Sequence, residues 1–257
     1  MPPDSASPLS DDPPPPGMDR GAVLAALRAR VARVAGGGGA AERPDSPPIP
    51  LCPEVDAELR GGLPRAALHE ILGEAEAGAS GAAAGFAALL LARSGGTVFW
   101  IAREPDAWPP GLVRYGLPPS RLIVARPGNG TDALWAMEEA LRCPAVSGAL
   151  LVSERPDATA MRRLQLAAET GGGIGLLLRD AASEDGPANA TTRWRVTGRA
   201  GGRAHDLGDP QWALELLRAR GGRPAHWTVT WRVGAESLTV EGMEEAEEAA
   251  PRRARRP

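Results

Sequence analysis

The chain has no lysine: all 29 of its basic residues are arginine. That absence excludes a phosphate-loop lysine, a Schiff-base lysine and a lysine general base by residue type alone. Cysteine is scarce as well. Cys52 and Cys143 lie far apart, without a C-x-x-C or Cys/His spacing, so neither a zinc site nor a disulfide framework is indicated and reduced thiols are expected. No run approaches the roughly 18 apolar residues of a membrane span. The opening MPPDSASPLSDDPPPP lacks the basic and apolar regions of a secretory leader, which points to a cytoplasmic protein without a membrane partner. An excess of one charge is also missing: 32 acidic residues stand against 29 basic ones, a net charge of −3, so no whole-molecule field draws nucleic acid.

What remains is enough for one domain of roughly 180–200 residues with a full core. Residues 1–17 are rich in Pro, Ser and Asp and are predicted to be disordered. In residues 18–35, Val23, Leu24, Leu27, Val31 and Val34 recur at helical spacing while Arg20, Arg28, Arg30 and Arg33 take other faces, which predicts an amphipathic helix. Its stripe must be covered by its own domain, by a partner groove or by a neighbouring copy, and the spacing does not choose among them. Gly36 opens a linker over 36–50; the core is placed at 51–240, and 241–257, an acidic block followed by a basic one, is a predicted disordered tail.

Within the core, apolar runs predict strands at about 68–72, 97–102, 121–125, 148–153 and 173–179, with helices at about 81–93, 108–115, 131–142 and 158–170. Near-continuous apolar strands alternating with helices imply an α/β fold with a mostly parallel sheet covered on both faces. After Arg179 strands follow one another directly, at about 191–198, 211–220, 226–233 and 237–240, which predicts an antiparallel C-terminal extension. The 211–220 and 226–233 pair, joined by GGRPA, is a hairpin candidate with Trp212, Trp227 and Trp231 available for cross-strand packing.

The organising stretch is 68–101, a strand, a glycine-spaced loop, an alanine-rich helix and a second strand. Its loop, from Gly73 through Gly78, Ala79 and Ser80, has the G-x-x-x-x-G-x-[ST] frame of a phosphate loop with alanine in the lysine position. Glu74 and Glu76 add carboxylates where phosphates would sit, and Ser80 keeps the hydroxyl that holds Mg²⁺ in a working loop. The strand GALLV ends in Ser153-Glu154 where a metal-side aspartate is expected; Glu154 either substitutes for it or is a solvated loop residue or a cap of the following helix. His69, His205 and His226 are isolated, and no catalytic or metal-ligating group follows from spacing.

The degenerate loop, followed by VFWIAREPDAW, ALLVSE, RRLQLAAE, RWRV and ELLRARGGRP, resembles the ImuA family, which is RecA-like and also described as SulA-like, over about residues 50–233. The resemblance implies a RecA-type phosphate-loop core. It also implies a part in SOS-induced translesion synthesis beside an ImuB-like Y-family polymerase homologue, an error-prone C-family polymerase and RecA. Aligned with RecA, Glu104 falls on the water-activating glutamate, while Ala79 and Ser153 fall on the phosphate-loop lysine and the metal-side aspartate. The first DNA-contacting loop is reduced to a few residues after Glu154, and the second, about 180–190, carries Asp180, Glu184 and Asp185 and no arginine, so direct DNA contact is not expected. The expectation is a non-catalytic adaptor without a cofactor. The alternatives are a weak ATPase that binds ATP and Mg²⁺ with Arg65, Arg93 or Arg103 replacing the lysine, acting on RecA or DNA, and a SulA-like regulator.

Overall fold

The computed structural model describes residues 47–73, 81–104, 108–153, 156–180, 190–199 and 208–241. The expected N-terminal helix at 18–35, its disordered lead at 1–17, most of the linker, and the tail after Glu241 lie outside the described residues.

Nine strands among the described residues form one sheet in the order β3-β2-β4-β5-β1-β6-β7-β8-β9. These are β1 Ala67–Gly73, β2 Thr97–Ile101, β3 Leu122–Ala125, β4 Val146–Val152, β5 Ile174–Asp180, β6 Thr192–Arg199, β7 Gln211–Ala219, β8 Ala225–Arg232 and β9 Ser237–Val240. From β3 to β6 every neighbouring pair is parallel, and β6 to β9 are antiparallel. The helices are α1 Pro53–Glu58, α2 Gly81–Arg93, α3 Pro109–Leu112, α4 Gly130–Arg142 and α5 Ala158–Gly171. The α/β expectation therefore holds, and the antiparallel extension holds from β7 onward; its first expected strand, at 191–198, is β6, which pairs parallel with β1 and antiparallel only with β7.

β1, β2 and most of β4 and β5 are buried throughout, as parallel strands covered on both faces must be. The helices that cover them carry local start signals. Asn129 caps α4 by accepting from the Asp132 N–H at 2.9 Å, and Asp157 caps α5 by accepting from the Ala160 N–H at 2.7 Å. At the end of α5, Gly171 lies so close to the backbone oxygen of Leu141 that a Cβ would sit 1.9 Å from it, so only glycine lets α5 cross the end of α4. The two helices are also joined by Glu138, which accepts from Arg142 and Arg163.

The two faces of the sheet differ. α4 and α5 cover one with mostly aliphatic residues such as Met137, Leu141 and Leu164, which pack with Leu177 of β5. α1, α2 and α3 cover the other, where Phe86, Trp100, Trp194, Trp212 and Trp231 are buried. The hairpin of β7 and β8 forms as expected, but its tryptophans do not stack on one another. Trp212 lies opposite Val229 and packs on Phe86 of α2, and Trp227 packs on Trp194 at 6.2 Å between ring centroids. The shared face of the strands turns all of them toward the helices, and their ring partners come from α2, from Tyr115 and from Trp194 of β6 rather than from one another.

Both ends of the core extend beyond their expected limits. Ile49, assigned to the linker by composition, is fully buried and exchanges two backbone hydrogen bonds of 2.8 Å with Leu63. Glu241, assigned to the tail, accepts through its carboxylate from Gln211 and Thr230, each at 2.6 Å.

Candidate functional site

In an open α/β sheet a ligand binds outside the carboxyl ends of the strands, so that edge is where the chemistry expected from the sequence belongs. β1 is central, between β5 and β6, and ends at the buried Gly73. The loop that follows, 74–80 with Gly78, Ala79 and Ser80, lies outside the described residues, and α2 starts at Gly81. The unit is thus a central strand, a seven-residue connection and a helix, the arrangement a phosphate loop requires.

The other expected site residues are spread along the same edge. Glu104 is exposed just beyond β2, and β4 and β5 separate β2 from β1, a lateral distance of about 14 Å at the usual strand spacing. Ser153 follows β4, donates its backbone N–H to the Leu178 oxygen at 3.2 Å and is half-buried. Glu154 lies outside the described residues. Among the described residues no group of His, Cys, Asp and Glu could hold a metal ion.

Two of the three arginines considered as lysine substitutes are at the wrong end of α2. Arg65 donates to the backbone oxygens of Pro47 at 3.0 Å and Ser94 at 2.9 Å, and Arg93 donates to those of Pro50 at 2.7 Å and Leu51 at 2.6 Å while lying over the ring of Trp231. α2 has 13 residues and is therefore about 20 Å long, which separates these guanidinium groups from the loop at its start. Arg103, exposed beyond β2, is the one of the three at the carboxyl edge.

The arrangement that spacing did not reveal is a charge cluster inside the sheet. Glu70 of β1 is 1% exposed; Arg179 of β5 donates to its Oε1, and Arg193 of β6 donates from Nε to its Oε2 at 2.6 Å. Glu70 lies directly opposite Arg193 in the register, which joins three strands through one carboxylate. The signal was present as one acid in the strand HEILG, one arginine in GLLLRD and two in TRWRV, of which Arg193 meets the acid. With both carboxylate oxygens occupied, Glu70 is a fixed structural anion.

His69, the next residue back on β1, is also fully buried. Its Nε2 faces the Pro64 carbonyl at 2.9 Å, which can only accept, so the ring proton is on Nε2 and Nδ1 accepts from the Thr192 hydroxyl at 2.8 Å. Thr192 in turn accepts from the Trp194 indole N–H at 2.8 Å. Burial lowers the histidine pKa to about 4, which keeps the ring neutral. It is the satisfied core histidine that its isolation in sequence suggested.

A groove of about 540 Å³ runs beside α5, lined by Arg162, Gln165, Leu166 and Glu169 with Arg220 opposite. It brings together RRLQLAAE and ELLRARGGRP, two of the segments that carry the family resemblance.

The geometry defines an α/β protein with a mostly parallel mixed sheet and a strand–loop–helix unit at its centre. No protein-family model matches the chain. Over 186 residues it is 40% identical to Protein ImuA of Caulobacter vibrioides, in each of two strains, an alignment that covers 65% of this chain and 75% of that protein. The chain belongs to the ImuA family.

Proposed function

We propose that this protein is a RecA-like phosphate-loop fold that has kept its frame, lost its chemistry and acts as a non-catalytic adaptor. The observation that carries this reading is Ala79 in the lysine position of a chain without lysine, in a loop that leaves a central parallel strand. Without that lysine no cationic side chain in the loop offsets the charge of a triphosphate, and Glu74 and Glu76 oppose it. Membership of the ImuA family supports a role in SOS-induced translesion synthesis and damage-induced mutagenesis in the cytoplasm. Its partners there are an ImuB-like Y-family polymerase homologue, an error-prone C-family polymerase and RecA. The two-arginine groove beside α5 supports contact with other proteins.

The test is a titration of the purified protein with ATP and Mg²⁺, with and without single-stranded DNA, beside a pull-down with the ImuB-like protein. The expected result is capture of the partner and no ATP turnover above background. Turnover well above background overturns the non-catalytic reading. Exposed Arg103 at the carboxyl edge then becomes the first residue to change in search of the substitute cation.

A further inference from the structure

Four large hydrophobic side chains are exposed among the described residues, and three of them, Trp108 at 73%, Val113 at 51% and Val124 at 40%, belong to the single stretch from the end of β2 through α3 to β3. β3 is the outermost strand and bonds only to β2 among the described residues. Its sequence, LIVA, contains no charged residue and no proline, two of the devices by which open edges are usually protected. Leu122 packs on the tryptophan-rich core, and Val124, two residues on, faces the same side of the sheet. Leu112 and Leu117, which flank Val113 in sequence, are buried in that core too. The exposed apolar strip therefore borders the covered side of the sheet along its open edge.

The chain enters the fold at the end of α2 that also meets the start of this edge strand. Pro47, the first described residue, accepts from Arg65, which also donates to the Ser94 oxygen at the end of α2. The next two oxygens, of Gly95 and Gly96, accept from Arg121, the residue immediately before β3. Pro47 and the start of β3 are thus tied to the same end of α2. The residues before Pro47 include the apolar stripe from Val23 to Val34, which spans about 17 Å as a helix. β3 with four residues is about 13 Å long, a comparable length. Residues 36–46 connect the stripe to Pro47, and a flexible chain of that length reaches about 18 Å.

We propose that residues 18–35 dock as a helix on this strip of their own chain, placing Val23, Leu24, Leu27, Val31 and Val34 over Trp108, Val113 and Val124. A tether this short gives an effective concentration of about a millimolar, so at about 1 μM protein the chain's own segment outcompetes that of a second copy by about 1,000-fold. The arginines on the other faces of the helix stay in water. The docked helix covers the open edge of the sheet as an outer helix covers a parallel strand.

The experiment uses the full chain carrying Leu27→Cys, Val124→Cys and Cys143→Ser, treated at micromolar concentration with a short bismaleimide; the remaining thiol, Cys52, is buried. The expected product is a crosslink within one chain. No crosslink, or crosslinked dimers, overturns the proposal. In a second measurement, Val23→Asp, Leu27→Asp and Val31→Asp are combined in the full chain, which leaves the described core untouched. Acrylamide quenching of Trp108, read as the difference from Trp108→Phe, should rise at least two-fold. Quenching that stays unchanged overturns the proposal as well.

Discussion

The two edges of the sheet contrast sharply. At the amino edge, where strands begin, side chains are committed to backbone groups. Arg121 donates to the oxygens of Gly96 at 2.7 Å, Ala92 at 3.0 Å and Leu91 at 3.3 Å as well as to Gly95, and the Ser147 hydroxyl donates to the Gly95 oxygen at 2.6 Å. His69 and Arg65 bond to Pro64, Thr192, Pro47 and Ser94 in the same layer. At the carboxyl edge, Arg103 and Glu104 are exposed and Ser153 bonds only through its backbone in the described contacts. In α/β proteins the carboxyl edge serves ligands and the opposite edge serves stability. Here Arg65, Arg93 and Arg121 of a lysine-free chain cluster where carbonyls at the end of α2 need donors, while Arg103 and Arg126 stand exposed beyond β2 and β3 at the carboxyl edge.

The largest expected effect lies in mid-sheet, beneath both edges. Glu70→Gln removes the anion between Arg179 and Arg193 and leaves two buried guanidinium groups without it. The expected loss is about 3–5 kcal/mol in urea unfolding. A loss below about 1 kcal/mol would show that the cluster does not hold the three strands together.

Next comes the pH dependence of the amino edge. The His69 ring titrates near 6.5 in the unfolded chain and at about 4 in the folded protein, so between those values the unfolded state binds more protons. Stability should therefore fall as pH drops from 6.5 toward 4 and level off below, by up to about 3 kcal/mol in total. Unfolding curves at pH 7, 5.5 and 4 measure this, and His69→Gln should remove that part of the slope.

A smaller loss, about 2–3 kcal/mol, is expected for Arg121→Ala, which deprives several carbonyls at the end of α2 of a charged donor. The smallest effect belongs to the carboxyl edge. Ala79→Lys with Ser153→Asp, which restores two phosphate-site residues, should change stability by no more than about 0.5 kcal/mol. It should also leave ATP turnover at background. A gain in turnover would mean that this edge retains more of its chemistry than its exposed residues suggest.

The elements were legible because their signals are local. Apolar runs and turn residues placed the first five strands and the helices between them to within a residue or two at most ends. What was not legible depended on register. Arg65 and Arg93 were candidates for the loop because sequence distance does not say at which end of a 20 Å helix a side chain finishes. The hairpin tryptophans were read as available for cross-strand packing because a strand pattern shows which side a residue takes and not what covers it. Composition assigned Ile49 to a linker, although a single bridge to Leu63 carries it into the core. Gly73 and Glu104 fall on one edge of the sheet, three strand spacings apart, a separation that only the strand order sets.

The sequence by itself determined the absence of lysine, alanine in the loop's cation position, the order of strands and helices, and the family, because residue type and short-range periodicity are complete in the chain before it folds. Only the tertiary structure decided the strand order, the partners of the arginines, the Arg179–Glu70–Arg193 cluster and the exposed flank of β3. Those depend on which distant segments pair and in what register, and that is set by the joint burial of two sheet faces rather than by any one segment.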